Sequence, residues 1–592
     1  MRAGNGEKGK TLARMINVRR SFAGRVVPLI CFAALVSVLP VSATTYYVDA
    51  TGGDDDNVGT SEPTAWKTLG KVNASSFKPG DAILFRRGRQ WREELVVPSS
   101  GLPGSPIVFG SYGIGDKPLI SGAGLVQNWR ASSGMTHVAP CNFHDIDSVW
   151  QDDVFLSQKT ALAEITGPGQ YWVDAANGHI YLWSRSGQSP ESTVVEAGKD
   201  PSALSATGKD WIVVRELTFE KNRALTYGII NLEACSHWTI TGCEIRHSAR
   251  QAYGIKVTGG SHVTVERCRV HDTRNTAIYF REASTHGTVR NCAIYNAGRN
   301  ADAGDNGAIC FGGVSKVSCN ECLIEGNDVF NIGYGDTQSH NQTVLVDRAD
   351  GCVIRSNRVY RSAKGGIYAA GEPERHITGL RIYGNLVFDV NVQHEVHMGY
   401  APGIGVRDVE DAHVFNNTIW NIGASSWNDS PLMINGVAGQ VLPDLRIANN
   451  IVGPATNSAW HRNYITREGA SFPGLTSDYN LFADQAGVVI IDNDVSFFGL
   501  AAYRRAHPEA ERHSLEGLPT FRSVADGDFR LAPESVGIQM APDALDFDAD
   551  GDLSEMVDVG AYAFGTETVG TAWVTYGALK PPLAPMGLRA VP

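Results

Sequence analysis

The pattern of hydrophobic and polar positions repeats along the middle of the chain. Each repeat reads aliphatic, two residues, Cys or Asn, one residue, aliphatic, as in Ile240-Thr-Gly-Cys243-Glu-Ile245. A fixed phrase at intervals of 24 to 35 residues indicates one coil per repeat, with turns of variable length. The Cys and Asn positions, called the ladder from here on, are Cys243, Cys268, Cys292, Asn327, Asn357, Asn385, Asn417 and Asn450.

The ladder predicts an all-β fold, a right-handed parallel β-helix. Alternating aliphatic residues fill the inside of short strands, and each strand pairs in parallel with its equivalent about 4.8 Å away. Buried Asn side chains stacked at one turn can hydrogen-bond to each other and to the backbone. Cys is a small apolar substitute at the same place.

The flanking sequence predicts an exported protein. Arginines precede the apolar run Val26 to Leu39, which is followed by the small-residue site Val41-Ser42-Ala43. This run is shorter than the roughly 20 residues that a spanning helix needs, so no stable membrane span is expected and the protein is predicted to be secreted, periplasmic or cell-surface. Met15 is an alternative start. The predicted segments are a signal peptide (1–43), N-terminal coils and cap (44–124), an inserted β-rich module (125–205), core and C-terminal coils (206–565) and a Pro-rich tail or linker (566–592).

Charge and cysteine content narrow the function classes. A net charge of −12 argues against nucleic acid as a general partner. Removal of the signal leaves nine cysteines, so at least one thiol is free. Cys319-Asn320-Glu321-Cys322 stands without a second pair, which favours a local disulfide or two unrelated thiols over zinc.

A second strand in each coil predicts a substrate groove. Its aliphatic residues point inward, so the residues between and after them point outward along one face. Tyrosine rings offer an apolar surface to sugars, and Lys and Arg bind carboxylates or hydroxyls. The alternative is a solvated face of mixed charge. The outward residues are Lys256, Tyr279, Arg281, Asp347, Tyr368 and Arg407.

The turns that enter this strand carry the candidate catalytic groups. Loops on a rigid scaffold are where function concentrates, and acid–base chemistry on glycans needs carboxylates in pairs. Any one of these acidic residues taken alone is more often a turn cap than a catalytic group. The turn residues are Arg274, Asp302, Asp305, Asp336, His340, Lys364, His394, Glu395 and His397.

The phrase Asp305-Asn-Gly-Ala-Ile-Cys310 resembles the Asp-x-Gly-Ala-Ile-Tyr phrase of large bacterial parallel β-helix glycoside hydrolases of the fucosidase and xylanase type, which share the pectin-lyase-like scaffold. The resemblance implies that Asp305 and Asp347 are the acid/base and the nucleophile. The register separates these two by about 20 Å along a straight strand. Hydrolases need roughly 5–10 Å, so Asp305 with Asp336 or Glu395 is the easier pair.

The sequence is therefore compatible with three functions. The first is a glycoside hydrolase that cleaves a polysaccharide or oligosaccharide with paired carboxylates and requires no cofactor. The second is a polysaccharide lyase in which Lys364 or Arg281 removes a proton, while Arg407 or a calcium ion neutralises a uronate carboxylate. The third is a non-catalytic glycan-binding or surface protein.

Overall fold

Strands make up nearly all of the regular structure. The computed structural model describes residues 43–223, 226–298, 307–312, 319–333, 342–372, 374–392, 401–423, 430–456, 464–467, 469–483, 489–493, 495–538, 541–542, 556–557 and 560. Three long sheets run along the molecule, and each coil adds one strand to each sheet in the order sheet 1, sheet 2, sheet 3. The predicted parallel β-helix is confirmed. No helix in the described ranges is long and apolar enough to cross a membrane.

The bounds of the strands follow the three sheets. Sheet 1 contains Thr45–Val48, Ala82–Arg86, Ile107–Tyr112, Ile212–Arg215, Trp238–Thr241, Val263–Glu266, Thr288–Arg290, Leu323–Glu325, Val353–Arg355, Ile377–Tyr383, Val409–Phe415, Arg446–Ala448 and Thr476–Asp478. Sheet 2 contains Gln90–Trp91, Leu119–Ser121, Thr218–Glu220, Glu244–Arg246, Arg269–His271, Ala293–Tyr295, Asp328–Ile332, Arg358–Ser362, Leu386–Val390, Thr418–Gly423, Ile451–Val452, Ala455–Thr456, Leu481–Phe482 and Leu515–Glu516. Sheet 3 contains Leu95–Val96, Leu204–Thr207, Gly228–Glu233, Tyr253–Thr258, Ile278–Arg281, Ile309–Phe311, Gln342–Asp347, Gly365–Ala370, Ile404–Arg407, Leu432–Asn435, Tyr464–Arg467, Val489–Asp492 and Val495–Phe498.

An inserted module interrupts the coils and has its own core. One of its sheets contains Val154–Phe155, Val149–Gln151, Val195–Gly198 and Ala123–Leu125. The other contains Ser157–Lys159, Gln170–Asp174, His179–Trp183, Thr136–Pro140 and Arg130–Ala131. Between them lies an apolar cluster that includes Trp129, Tyr171 and Leu182. The helices are short: α-helices Leu69–Asn73 and Leu500–Ala506, and 3-10 helices Glu62–Thr64, Leu162–Glu164, Pro190–Ser192 and Val524–Asp526.

The ladder is a continuous column of buried hydrogen bonds. The side-chain nitrogen of Asn385 donates to Asn417 Oδ1 (3.0 Å) and to the carbonyl of Ile354 (2.9 Å). The backbone of Asn357 donates to Asn385 Oδ1 at 3.0 Å. Each amide thus satisfies its neighbour, which is why a fully buried polar column is tolerated. The column continues one coil beyond the predicted ladder, to Asn480.

A residue with left-handed backbone follows the sheet 2 strand or lies near its end in successive coils. It is the fourth residue after the ladder position, or after the equivalent Leu217 in the case of Lys221, and its φ lies between +48° and +61°. Asn, Asp and His adopt this conformation at lower cost, whereas Lys and Arg do so with more strain. Strained residues of this kind concentrate at functional sites. These corner residues are Lys221, His247, Asp272, Asn296, Asn331, Arg361, Asp389 and Asn421.

Of the two alternatives for Cys319 and Cys322, the local disulfide is wrong. Cys322 pairs with Cys352, because these positions on adjacent coils lie 4.6 Å apart between Cα atoms. Cys319 is a buried free thiol. The strand Asp528–Leu531 pairs antiparallel with Phe521–Ser523 and covers the outer face of sheet 2, where the Phe529 ring lies 4.8 Å from that of Phe388. A further short antiparallel pair joins Ala541–Pro542 to Met556–Val557.

Candidate functional site

The structure describes eight of the fifteen residues that the sequence predicts for the site. Seven lie outside the described residues, so their roles stay predictions: Asp302, Asp305, Asp336, His340, His394, Glu395 and His397. The described ones are Asp347, Lys364, Lys256, Arg274, Tyr279, Arg281, Tyr368 and Arg407.

The outward residues of sheet 3 form two columns, one between the aliphatic residues and one after them, as the sequence predicts. Lys256 pairs with Tyr279, and Tyr368 lies farther along the same column. In the strand register Asp347 lies opposite Ala370, and Ala370 lies opposite Arg407. Asp347 and Arg407 therefore belong to a second column, two residues later along each strand than the first. The strand register itself is as predicted. The aliphatic residues that carry it are Ile255, Ile278, Ile309, Val344, Ile367, Ile404 and Leu432.

The two tyrosines are not the exposed sugar platform that was expected. Tyr279 is fully buried and Tyr368 is 7% exposed. Tyr279 packs with Tyr253 and Cys310, because apolar neighbours in this column cluster on the outer face. Lys256 donates to the carbonyl of Thr226 at 2.8 Å, and burial together with the nearby Arg281 lowers its pKa. Substrate binding by this face remains a prediction.

Acids beside the basic groups of sheet 3 neutralise them. Arg281 pairs with Glu282 at 2.5 Å, and Arg407 pairs with Asp408 at 3.3 Å. Asp347 pairs with Arg348 at 2.7 Å. The adjacent acids explain why this face is not an open cationic groove.

A cleft of about 450 Å³ opens where the inserted module meets the turns between sheets 2 and 3. The module contributes Trp150, Asp152, Asp153 and Phe155, and the coils contribute His247, Ser248, Asp272 and Arg274. The guanidinium of Arg274 lies 4.7 Å from the Phe155 ring centre, and the Phe155 ring packs edge-on against Trp150. Aromatic, cationic and acidic groups therefore line one concave surface, called the module cleft from here on.

A buried lysine ties the module to the coils beneath the cleft. The Lys221 side chain is 1% exposed, and its Nζ donates to Asp153 Oδ1 at 2.6 Å and to Glu196, both from the module. Glu220 of the coil lies 3.3 Å away. Burial disfavours the ammonium, but Glu220 and Glu196 outweigh it and raise the pKa of Lys221. The Lys221 side chain therefore stays protonated and holds the carboxylates of Asp153, Glu196 and Glu220 in place around it.

Asp153 is the ionised carboxylate of the cleft. Its side chain is about half exposed, and it lies on the turn after strand Val149–Gln151. Burial alone would raise the pKa of Asp153. The hydrogen bond from Lys221 and its positive charge together outweigh burial, so the pKa of Asp153 is lowered. Asp153 therefore presents a fixed negative charge to any bound ligand.

His247 lines the cleft as a neutral imidazole. Burial lowers its pKa to about 4, because the nearby acids Asp272 and Asp153 only partly offset the loss of water. A neutral ring can donate one hydrogen bond and accept another, which suits a sugar hydroxyl.

We expect His247 to make the protein less stable in mild acid. Its pKa is lower in the folded than in the unfolded chain, so the unfolded chain takes up a proton first as pH falls below about 6.5. The free energy of unfolding should drop by up to about 3 kcal/mol between pH 6.5 and 4 from this group alone. Urea unfolding across this range should show a flatter pH dependence in His247→Gln. The exposed His144→Gln serves as the control, and an equal slope in wild type and His247→Gln contradicts the assignment.

His271 holds the acidic wall of the cleft in place. Its Nδ1 lies 2.7 Å from Asp272 Oδ2 and its Nε2 lies 3.0 Å from Glu244 Oε1. Burial opposes the charged ring, but these two acids outweigh it and raise the pKa of His271. The hydrogen bond from His271 lowers the pKa of Glu244 to about 2. Tyr295 stacks on the imidazole at 4.7 Å, so the Asp272 carboxylate has a fixed orientation.

A metal does not fit the acidic cluster. Within the described residues one group has metal-like spacing, Asp153, Glu220 and His247, whose ligand atoms lie within 4.8 Å of one another. The Lys221 ammonium already contacts the two carboxylates, so a divalent ion would be placed against a like charge. Calcium also prefers oxygen ligands to imidazole. This cluster is therefore not a suitable calcium site.

The sequence pattern predicted Arg274 in the turns but missed Asp153, Lys221, His247 and Asp272. Three of these are corner residues with a regular signal: His247 and Asp272 are the fourth residues after Cys243 and Cys268, and Lys221 is the fourth after the equivalent Leu217.

Comparison with known proteins adds the family context. Residues 227–343 match the right-handed beta helix region family. The chain is 39% identical over 104 residues to a lacto-N-biosidase of Bifidobacterium longum subsp. longum, a match that covers 16% of this chain and 6% of that enzyme. Most of that enzyme's length thus has no counterpart in the match.

Solved structures align with much of the chain at low identity. A complex of XylC with xylose aligns with 76% of this chain and 86% of its own, at 12% identity and a TM-score of 0.48. A GH136 lacto-N-biosidase from Eubacterium ramulus aligns with 74% of this chain and 68% of its own, at 15% identity and a TM-score of 0.34.

Proposed function

We propose that this protein is a glycoside hydrolase whose active site includes the module cleft. The observation that carries the proposal is the lining of the cleft. A fixed carboxylate (Asp153), a neutral imidazole (His247), a guanidinium (Arg274) and an aromatic ring (Phe155) converge on one concave surface. Aromatic faces and hydrogen-bonding side chains are what a sugar ring requires.

The catalytic acids of this proposal are those that the sequence predicts. Asp305 protonates the oxygen of the leaving sugar, and Asp336 or Glu395 attacks the anomeric carbon or activates water. Asp153 stabilises the positive charge that develops on the sugar ring, because Lys221 keeps it ionised. Identity to a lacto-N-biosidase over 104 residues supports a hydrolase rather than a lyase.

The lyase mechanism has less support from the described residues. Its candidate base, Lys364, is 2% exposed, so a substrate proton has little access to the amine. Arg281 and Arg407 are held by Glu282 and Asp408, which reduces their attraction for a uronate carboxylate. The non-catalytic alternative predicts binding without turnover.

Incubation with a panel of glycans separates the three functions. The panel includes xylans, uronate polysaccharides and lacto-N-bioside substrates, and both reducing ends and ultraviolet absorbance are followed. New reducing ends without an unsaturated chromophore are the expected result. The chromophore would establish a lyase, and retention of the protein on a glycan without products would establish the non-catalytic function.

A further inference from the structure

The outer face of the larger module sheet carries an unusual row of side chains. Strand pairing places Lys159, Trp172, Tyr181, Val138 and Arg130 side by side across five strands. Alternate residues of the same strands form the module core, so this row faces away from it. Four spacings of about 4.8 Å make the row about 19 Å long.

The centre of the row is aromatic. The rings of Trp172 and Tyr181 stack with centroids 5.3 Å apart, and both are only partly buried. Trp183 lies two residues beyond Tyr181, about 7 Å farther along the strand and on the same face. Trp183 also borders a cavity of about 510 Å³ lined by Met135, Leu162 and Ile165. The aromatic surface therefore continues into a pocket.

The polar groups of this surface are available to a ligand. Within the described ranges, nothing accepts a hydrogen bond from the indole nitrogens of Trp172 and Trp183 or from the Tyr181 hydroxyl. Lys159 and Arg130, at the two ends of the row, make no ion pair with a described residue.

We propose that this face, from Lys159 to Arg130 with Trp183 and its pocket, is a second glycan-binding site, separate from the module cleft. Aromatic rings with free edge donors bind the apolar face and the hydroxyls of a sugar together. Cations at the two ends complement hydroxyls or the carboxylates of acidic sugars. A protein partner would require a larger apolar centre than this row provides. The choice of a glycan rests on the proposed function.

Affinity electrophoresis of the full chain tests the proposal, with arabinoxylan as the neutral and polygalacturonate as the acidic polysaccharide in the gel. We expect at least one of them to retard the wild type. Trp172→Ala and Tyr181→Ala should each weaken the apparent affinity about tenfold, as expected for loss of an aromatic anchor. Lys159→Ala should weaken binding of polygalacturonate more than binding of arabinoxylan if the acidic polysaccharide is the ligand.

The matched control is Phe498→Ala, which removes an aromatic ring that is 75% exposed outside the module. It should migrate as the wild type does. Near-ultraviolet circular dichroism verifies that each variant is folded, and hydrolysis of a small aryl glycoside should be unchanged in Trp172→Ala. Unchanged retardation in folded Trp172→Ala and Tyr181→Ala, or no retardation of the wild type, overturns the second site. Loss of retardation in a protein without hydrolase activity would instead uphold this site and reject the proposed function.

Discussion

Lys221→Met should destabilise the protein by about 3–5 kcal/mol and loosen the module from the coils. The substitution leaves Glu196 and Glu220, each 2% exposed, without the ammonium between them. Removing one partner from a buried ion pair is costly because the remaining charge is uncompensated. Arg92 and Arg246 remain beside the two acids and partly compensate their charge. The expected loss of stability therefore lies near the lower end of this range. Urea unfolding and limited proteolysis of the module measure the effect.

Two further variants isolate the cause. Lys199→Met removes a lysine of the same module that pairs with Asp200 at its surface, and should cost about 1 kcal/mol or less. Adding Glu196→Gln and Glu220→Gln to Lys221→Met should recover part of the loss, since it removes the buried uncompensated charges. Equal stability of Lys221→Met and Lys199→Met would refute the role of Lys221 in holding the module.

Asp305→Asn should lower turnover about a thousandfold without altering the fold. An amide cannot deliver a proton to the leaving oxygen, and loss of a general acid costs on the order of 10²–10⁴ in rate. Initial rates on the best substrate of the glycan panel measure the loss. Asp302→Asn, in the same turn, is the control and should retain activity within a few fold. Turnover above a tenth of wild type in Asp305→Asn would remove this residue from the catalytic pair.

The sequence alone predicted the coils because their determinants are local and repeated. Alternating aliphatic residues such as Ile255, Ile278 and Ile309 define the register of sheet 3, and it is the register observed. The Asn column could also be predicted from the sequence, since a buried amide needs a hydrogen-bonding partner in the next coil, and another Asn at the same position supplies one.

The site was harder to predict because its contacts are not local. Asp153 and Lys221 are 68 residues apart, and only the docking of the module brings them to 2.6 Å. Burial of Tyr279 likewise depends on the packing of neighbouring columns, which strand alternation does not specify. His247 did carry a signal, the fourth place after Cys243, but its meaning depends on a left-handed corner that becomes evident only when several coils are compared.

Hydrolysis in water enriched in heavy oxygen tests the central claim most directly. A glycoside hydrolase adds an oxygen of water to the anomeric carbon, so mass spectrometry should find one heavy oxygen at the new reducing end of the product. Asp305→Asn should give this labelled product about a thousandfold more slowly. A product that is unsaturated and carries no heavy oxygen would contradict the account and establish elimination instead.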